Sequence, residues 1–342
     1  MKNRHDKLVA TAGEVEILRR IRQRAGSVGG GVRLGIGDDC ALLQVRPEEA
    51  IAVTTDLSIE GRHFRLDWHE PEWIGHRTLA RGLSDLAAMG ARPVAAFLSL
   101  GLPQELTAAK GRRASWMERF YDGFLALAGE CKTPLAGGDL AQSPVAVADV
   151  VLAGAVPAAK ALRRSGARPG DNLYVTGTLG GAAAGLQRLA ALARKQARRP
   201  VRIPPGMEAV LKPHLHPQPR LAQGLWLQTR GIASAAIDVS DGLSTDVMHI
   251  CEESGVCAVV EGAALPVAGG ATLEQGLHGG EDYELLFTAR PAVRLPRAIH
   301  GVAVSRIGHI TRMRPRMPRV LLRGAKGDEA LEPRGWEHFS QK

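Results

Sequence analysis

The sequence predicts a mixed α/β fold of the α+β kind, and three observations carry that prediction. Short apolar runs of strand length alternate with longer segments of helical period. The chain is 342 residues long, enough for two domains, and both periodicities break at Pro157 to Pro169, in PAAKALRRSGARPGD. Glycine occurs 40 times against only 4% aromatics, so backbone must turn tightly or approach something closely at many points.

In chain order, Gly13 to Arg22 reads as a helix, IAVTTD (51–56) as a strand, Pro71 to Met89 as a helix and VAAFLSL (94–100) as a strand. Gln104 to Glu130 has the clearest helical period, with Leu106, Trp116, Phe120, Phe124 and Leu127 near one face. VADVVLAGAV (147–156) and NLYVTG (172–177) flank the break as strands, and Gly181 to Lys195 follows as a helix. The Arg- and Pro-rich segment from Ala197 to Pro219 reads as a long loop. AAIDVSD (235–241), VCAVVE (256–261) and DYELLFT (282–288) read as strands, with a helix from Leu243 to Glu253.

Composition excludes several classes. Hydrophobic residues at 45% and charged residues at 23% rule out wholesale disorder. The net charge of +9 is local: ten basic residues and no acid lie between Arg290 and Lys326. Without interleaved aromatics this stretch reads as a solvated face, and nucleic-acid binding is not expected. The apolar stretch Leu86 to Pro103 carries Arg92 and two prolines, so no membrane span is expected, and MKNRHDKLVA lacks the apolar region of a secretory signal. Cys40, Cys131, Cys251 and Cys257 have no metal-site spacing, which fits a cytoplasmic protein with inert thiols.

The informative pattern is the placement of acids. GIGDD (35–39), TTD (54–56), LSD (83–85), GGD (137–139), IDVSDG (237–242) and GGED (279–282) each set a carboxylate at a strand end or beside glycine. Convergent carboxylates repel unless cations neutralise them, and a hard, oxygen-seeking ion such as Mg²⁺ suits them. Thr54, Thr55 and Ser240 could complete its shell. Each fragment alone is more often a turn or cap, and Asp241 before an apolar helix could be a helix N-cap. No GxxxxGK[ST], GxGxxG, HExxH or GxSxG occurs. The best phosphate cradle is VTGTLGGAAAGL (175–186), where a Gly-rich turn leads into a helix N-terminus.

The order GIGDDCALL, TTDLSIEGRHF, LSDLAAMGARP, GGD, RRSGARPGDNLYVTGTLGGAAAGL, IDVSDGLSTD, GGEDYELLFT and the closing RGWEHF resembles the thiamine-monophosphate kinase family of the ATP-dependent aminoimidazole-ribonucleotide synthetase superfamily. The resemblance implies an N-terminal domain (1–158) that binds ATP and Mg²⁺ and forms a homodimer through its sheet. It also implies a C-terminal α/β domain (159–342) that completes the nucleotide and substrate site between the two. Carried over by position, Asp39, Thr54, Thr55, Asp56, Asp85, Asp139, Asp238 and Asp241 match metal positions. Gly138, Asp139, Arg164 and Ser240 match nucleotide contacts, and His63, Glu281 and Trp336 match positions facing thiamine monophosphate. Asp38 reads as a partner of the ligands rather than one of them.

The implied reaction is direct, Mg²⁺-assisted in-line transfer from ATP to thiamine monophosphate, giving thiamine diphosphate. No general base is assigned, because the acceptor phosphate, with a second pKa of about 6, is already ionised near neutrality. Two positions depart from the family pattern: Leu140 follows GGD where Thr is usual, and Gly82 precedes LSDL where Asn is usual. The alternatives are a sister synthetase acting on another acceptor or a basic nucleic-acid-binding protein. The first 39 residues hold no Cys and the last Cys is Cys257, which disfavours selenophosphate synthetases and hydrogenase-maturation relatives.

Overall fold

The computed structural model describes residues 14–26, 29–109, 114–196, 200–313, 316–325, 327–336 and 339. The first half comprises α1 (Glu14–Ala25), β1 (Val32–Leu34), β2 (Leu42–Leu43), β3 (Glu49–Ile59), α2 (Pro71–Ala88), β4 (Arg92–Leu102), α3 (Trp116–Glu130), β5 (Leu135–Gln142) and β6 (Val147–Pro157). β3, β6, β4 and β5 form a four-stranded sheet in that order, antiparallel except for the β4–β5 pair. α2 and α3 cover one face, sealing Leu79, Leu83, Phe120, Phe124, Val150 and Leu152 in a core.

Period-two alternation along β3 decides what reaches that core. Thr54, Asp56 and Ser58 turn toward the helices, while Ile51, Val53, Thr55 and Leu57 are exposed on the other face.

The second half comprises β7 (Asn172–Thr176), α4 (Gly181–Lys195), α5 (Glu208–Leu215), α6 (Leu221–Arg230), β8 (Ala233–Asp238), α7 (Leu243–Ser254) and β9 (Cys257–Glu261). α8 (Leu273–His278), β10 (Leu285–Ala289), β11 (Ala298–Ile299), β12 (Val302–Thr311), β13 (Val320–Gly324) and β14 (Gly327–Ala330) follow. Its mostly antiparallel sheet runs β14-β13-β9-β12-β7-β10-β8, with β11 paired to β12. A second core gathers Leu173, Val175, Ile237, Val247, Ile250 and Leu286. A third cluster joins Ala87 and Ala88 of α2 to Leu227, Ala236 and Phe287, so the two halves pack through α2.

Several expectations need correction. The helical period from Gln104 is interrupted: a single 3₁₀ turn spans Gln104–Leu106, and α3 starts at Trp116 behind a Ser115–Glu118 capping box. The segment read as one loop from Ala197 contains α5, which tolerates Pro213 near its C-terminal end. The strand expected from Asp282 begins at Leu285. TTD lies within β3 and LSD within α2, not at strand ends. On the basic stretch, Arg290, Arg294, Arg297, Arg306, Arg312, Arg316 and Arg323 are exposed, whereas Arg314 and Lys326 lie outside the described residues, as do the N-terminal MKNRHDKLVA and the Glu337–His338 part of RGWEHF.

Candidate active site

A cavity of about 420 Å³ opens where the two halves meet. Asp56 enters it from β3 and Asp85 from α2, while Asp238, Ser240 and Asp241 come from the end of β8 and the turn beyond. His63, Glu281 and Trp336 line it as well. Eight of the residues singled out in the sequence therefore converge. Sheet pairing explains part of this: Leu285 pairs with Asp238, so the loop that ends in Glu281 lies against the turn that carries Ser240. Glu281 donates its amide to the Ser240 carbonyl, and Tyr283 donates to Val239, at 2.7 and 2.9 Å. Both have positive φ, +67° and +51°, a conformation that costs side-chain-bearing residues energy and here aims Glu281 into the cavity.

Burial works against the charged form of three of these carboxylates. Burial holds Asp56 above its ordinary range, against the opposing pull of Arg81. Burial likewise raises Asp85, although Thr54 donates its hydroxyl to that carboxylate and the Arg164 charge acts on it. Asp238 is only 3% exposed and is pushed up to about 7, first by burial and then by the charge of Asp85. Ser84 Oγ donates to Asp238 at 2.7 Å. An all-oxygen donor set under charge strain is what a hard divalent cation takes, so these residues fit Mg²⁺.

The other marked residues stand apart. Thr55 is on the opposite sheet face from Thr54 and Asp56. Asp39 is exposed, and its amide donates to Asp38. Asp139 is exposed on β5, opposite Ser99, and accepts the Leu140 amide. The preceding Gly138 has φ +148° with its Cα against the Leu98 carbonyl, where a side chain would collide.

Two local readings are overturned. The turn before α4 is not an open phosphate cradle: Asp282 accepts the Gly180 and Ala182 amides, so a carboxylate of the chain already occupies that helix N-terminus. Asp241 is not the cap of α7. The N-cap is Gly242, at φ +118°, and its amide donates to Asp246 Oδ2 at 3.1 Å. Asp241, Asp246 and His249 do lie within mutual ligand reach of 4.8 Å, but Asp246 is engaged in this cap.

Sequence reasoning found His63 but missed the arginines of α2 and the imidazoles of His69 and His214. Arg77, Arg81, Ser84 and Asp85 share one face of α2, and that i, i+4, i+7, i+8 spacing was the available signal. Arg77 is 5% exposed and donates to both oxygens of Glu281 at 2.8 and 3.0 Å. Its charge, with that of Arg81, brings Glu281 below its ordinary range against the effect of burial.

Arg77 also lies 3.0 Å from His214 Nδ1, and His214 Nε2 lies 3.1 Å from His69 Nε2. A guanidinium only donates, so His214 carries its proton on Nε2 and gives it to His69. His69 Nδ1 faces both the Arg65 amide, at 3.2 Å, and the Arg65 carbonyl, at 3.1 Å; with Nε2 accepting from His214, the neutral ring keeps its proton on Nδ1, toward the carbonyl. Burial, and then the Arg77 charge, lower the pKa of both rings, His69 to about 4. On the near wall His63 Nδ1 accepts the Ile59 amide, which leaves Nε2 as the protonated nitrogen of the neutral ring.

Residues 37–158 match the family described as AIR synthase related protein, N-terminal domain. The chain is 40% identical over 304 residues to a thiamine-monophosphate kinase of Salmonella typhimurium, covering 86% of this chain and 87% of the relative. It is 39% identical over 311 residues to that of Escherichia coli K12, covering 87% and 90%. Among solved structures, the thiamine-monophosphate kinase of Stenotrophomonas maltophilia superposes with a TM-score of 0.75 at 38% identity, covering 90% of this chain and 95% of the other. AaThiL complexed with AMPPCP and TMP gives 0.73 at 29% identity, covering 96% and 97%.

Proposed function

Because this chain belongs to the thiamine-monophosphate kinase family, we infer that it phosphorylates thiamine monophosphate with ATP, forming thiamine diphosphate. The observation that carries the reading is the convergence of Asp56, Asp85, Asp238 and Asp241 with Glu281 and Trp336 in one cavity between the halves. The AMPPCP and TMP bound by AaThiL are a fitting pair of nucleotide and phosphorylated acceptor.

Asp56, Asp85, Asp238 and Asp241 would hold Mg²⁺, with Thr54 and Ser84 fixing two of the carboxylates. Bound there, Mg²⁺ supplies charge neutralisation for two polyanions that must meet in line. Arg164, whose charge acts on both Asp85 and Asp238, together with Ser240 would face the nucleotide. Trp336, 51% exposed and so no core residue, offers an aromatic face to the cationic ring of thiamine, and His63 and Glu281 offer polar contacts. Since the acceptor oxygen is already ionised, the residues need to bind, orient and exclude water rather than remove a proton.

The divide into domains at 158 is supported by the two separate cores. A homodimer through the first sheet is supported by the apolar outer face of β3, where Ile51, Val53 and Leu57 are exposed. No helix among the described residues is long and apolar enough to cross a membrane. We place the enzyme in the cytoplasm, which the four cysteines without metal-site spacing support. The test is direct: purified protein with Mg·ATP and thiamine monophosphate should produce thiamine diphosphate and ADP. Absence of thiamine diphosphate from active-site-intact, folded protein would overturn the assignment.

A further inference from the structure

We propose that Arg81 is a resident counter-cation that occupies Asp56 until metal arrives with nucleotide, so that the site selects the metal–nucleotide complex over the bare ion. The inference rests on the Mg²⁺ reading of the cavity given above.

The geometry is that of a fork. Arg81 stands one turn before Asp85 on α2 and reaches across to β3, where Nε donates to Asp56 Oδ2 at 2.9 Å and Nη2 lies 2.7 Å from Oδ1. Both carboxylate oxygens are therefore engaged. The two side chains are only 16% and 19% exposed, so the pair is not a solvent-screened surface contact. A divalent ion cannot use Asp56 without displacing the guanidinium or sharing its oxygens against strong like-charge repulsion.

Displacement has somewhere to go. Arg81 also lies within the electrostatic reach of Glu281, whose carboxylate Arg77 already holds, so the negative charge that a freed guanidinium needs comes from an incoming triphosphate. A bare ion brings none. Arg81 thus penalises metal alone and is compensated when nucleotide enters with it.

The experiment uses Mn²⁺ as the probe, titrated by electron paramagnetic resonance into the full chain with and without a non-hydrolysable ATP analogue. Arg81→Met keeps the aliphatic stem and removes the charge. It should bind Mn²⁺ alone about tenfold or more tightly than wild type, and Asp56→Asn on that background should abolish the gain. Arg81→Lys, a point charge without the fork, should fall between, and it decides the matter if Arg81→Met fails to fold by circular dichroism. Unchanged or weaker Mn²⁺ binding in the folded variant overturns the proposal. So does a rise of about tenfold in KM for thiamine monophosphate with Mn²⁺ affinity unchanged, which would make Arg81 a substrate contact. The titration needs no turnover. A wild type that makes no thiamine diphosphate, while Arg81→Met still gains metal, would sink the assigned reaction and leave this inference standing.

Discussion

Ser84 and Asp238, 154 residues apart, meet through a 2.7 Å hydrogen bond in which the helix hydroxyl of one half donates to the last strand residue of the other. Both are buried, Ser84 fully and Asp238 to 3% exposure. The contact fixes α2 against β8, and so fixes Asp85 relative to Asp238. It ties two walls of the acidic cavity together, beside the packing of Ala87 and Ala88 against Leu227 and Phe287.

Ser84→Ala should therefore cost about 1–3 kcal/mol, the usual penalty for leaving a buried acceptor without its donor. Urea unfolding monitored by circular dichroism measures it. A midpoint identical to wild type would show that the bond does not tie the halves together.

Asp56→Asn and Asp241→Asn should each lower turnover by roughly a hundredfold or more, the scale on which a single electrostatic contact to a transition state acts. Metal-free thermal stability should separate them. Asp56→Asn leaves the half-buried Arg81 without its counter-charge and should lower Tm, whereas the Asp241 charge is set against that of Asp246, so its neutralisation should leave Tm level or raise it slightly. The increase in Tm on adding Mg·ATP should shrink in both. Near-normal turnover at saturating Mg²⁺ would remove that residue from the metal set.

The imidazole pair predicts an acid limb of stability. His69 and His214 fold as neutral rings whose pKa values are lowered from 6.5, His69 to about 4, so the unfolded chain binds more protons as pH falls between these values. Stability is complete above about pH 6.5 and declines as pH drops toward 4, by roughly 3 kcal/mol for His69 if its ring titrates alone. Chemical denaturation at pH 7.5, 5.5 and 4.5 checks the slope. His69→Phe should flatten it, and an unchanged slope in that variant would assign the limb to other groups.

Unphosphorylated thiamine should not be converted. Its hydroxyl would have to lose a proton, and the cavity's assigned residues hold charge and orientation rather than a base for that position. Robust thiamine monophosphate formation from thiamine and ATP would demand such a base and overturn the mechanism.

Gly138→Ala should fail structurally rather than kinetically. At φ +148° a side chain would meet the Leu98 carbonyl, so β5 would have to part from β4. Loss of soluble, folded protein is expected, and a folded variant with ordinary stability would show that β5 can shift at this point.

The sequence alone determined the elements whose period is long or whose caps are local. α4 falls at Gly181–Lys195 as read, because its apolar spacing and Gly-rich start are short-range signals, and the acid-bearing motifs were visible as a set for the same reason. Where local signals conflict with packing, the reading failed: Leu106 continues the period of α3 yet belongs to a separate 3₁₀ turn, because the helix begins where Ser115 and Glu118 can satisfy its free amides.

Only the tertiary structure decided which acids meet. Thr54, Thr55 and Asp56 are consecutive in the chain, yet the pleat of β3 sends Thr55 to the opposite face, and Asp139 remains exposed on its own strand. Nor could spacing show that Asp282 fills the α4 amides, that Arg77 reaches Glu281 across 204 residues, or that Arg81 already holds Asp56. Periodicity reports the face a residue takes on its own element. The partner it finds there is set by how elements distant in sequence pack, and charge pairing in a buried cavity is decided at that level.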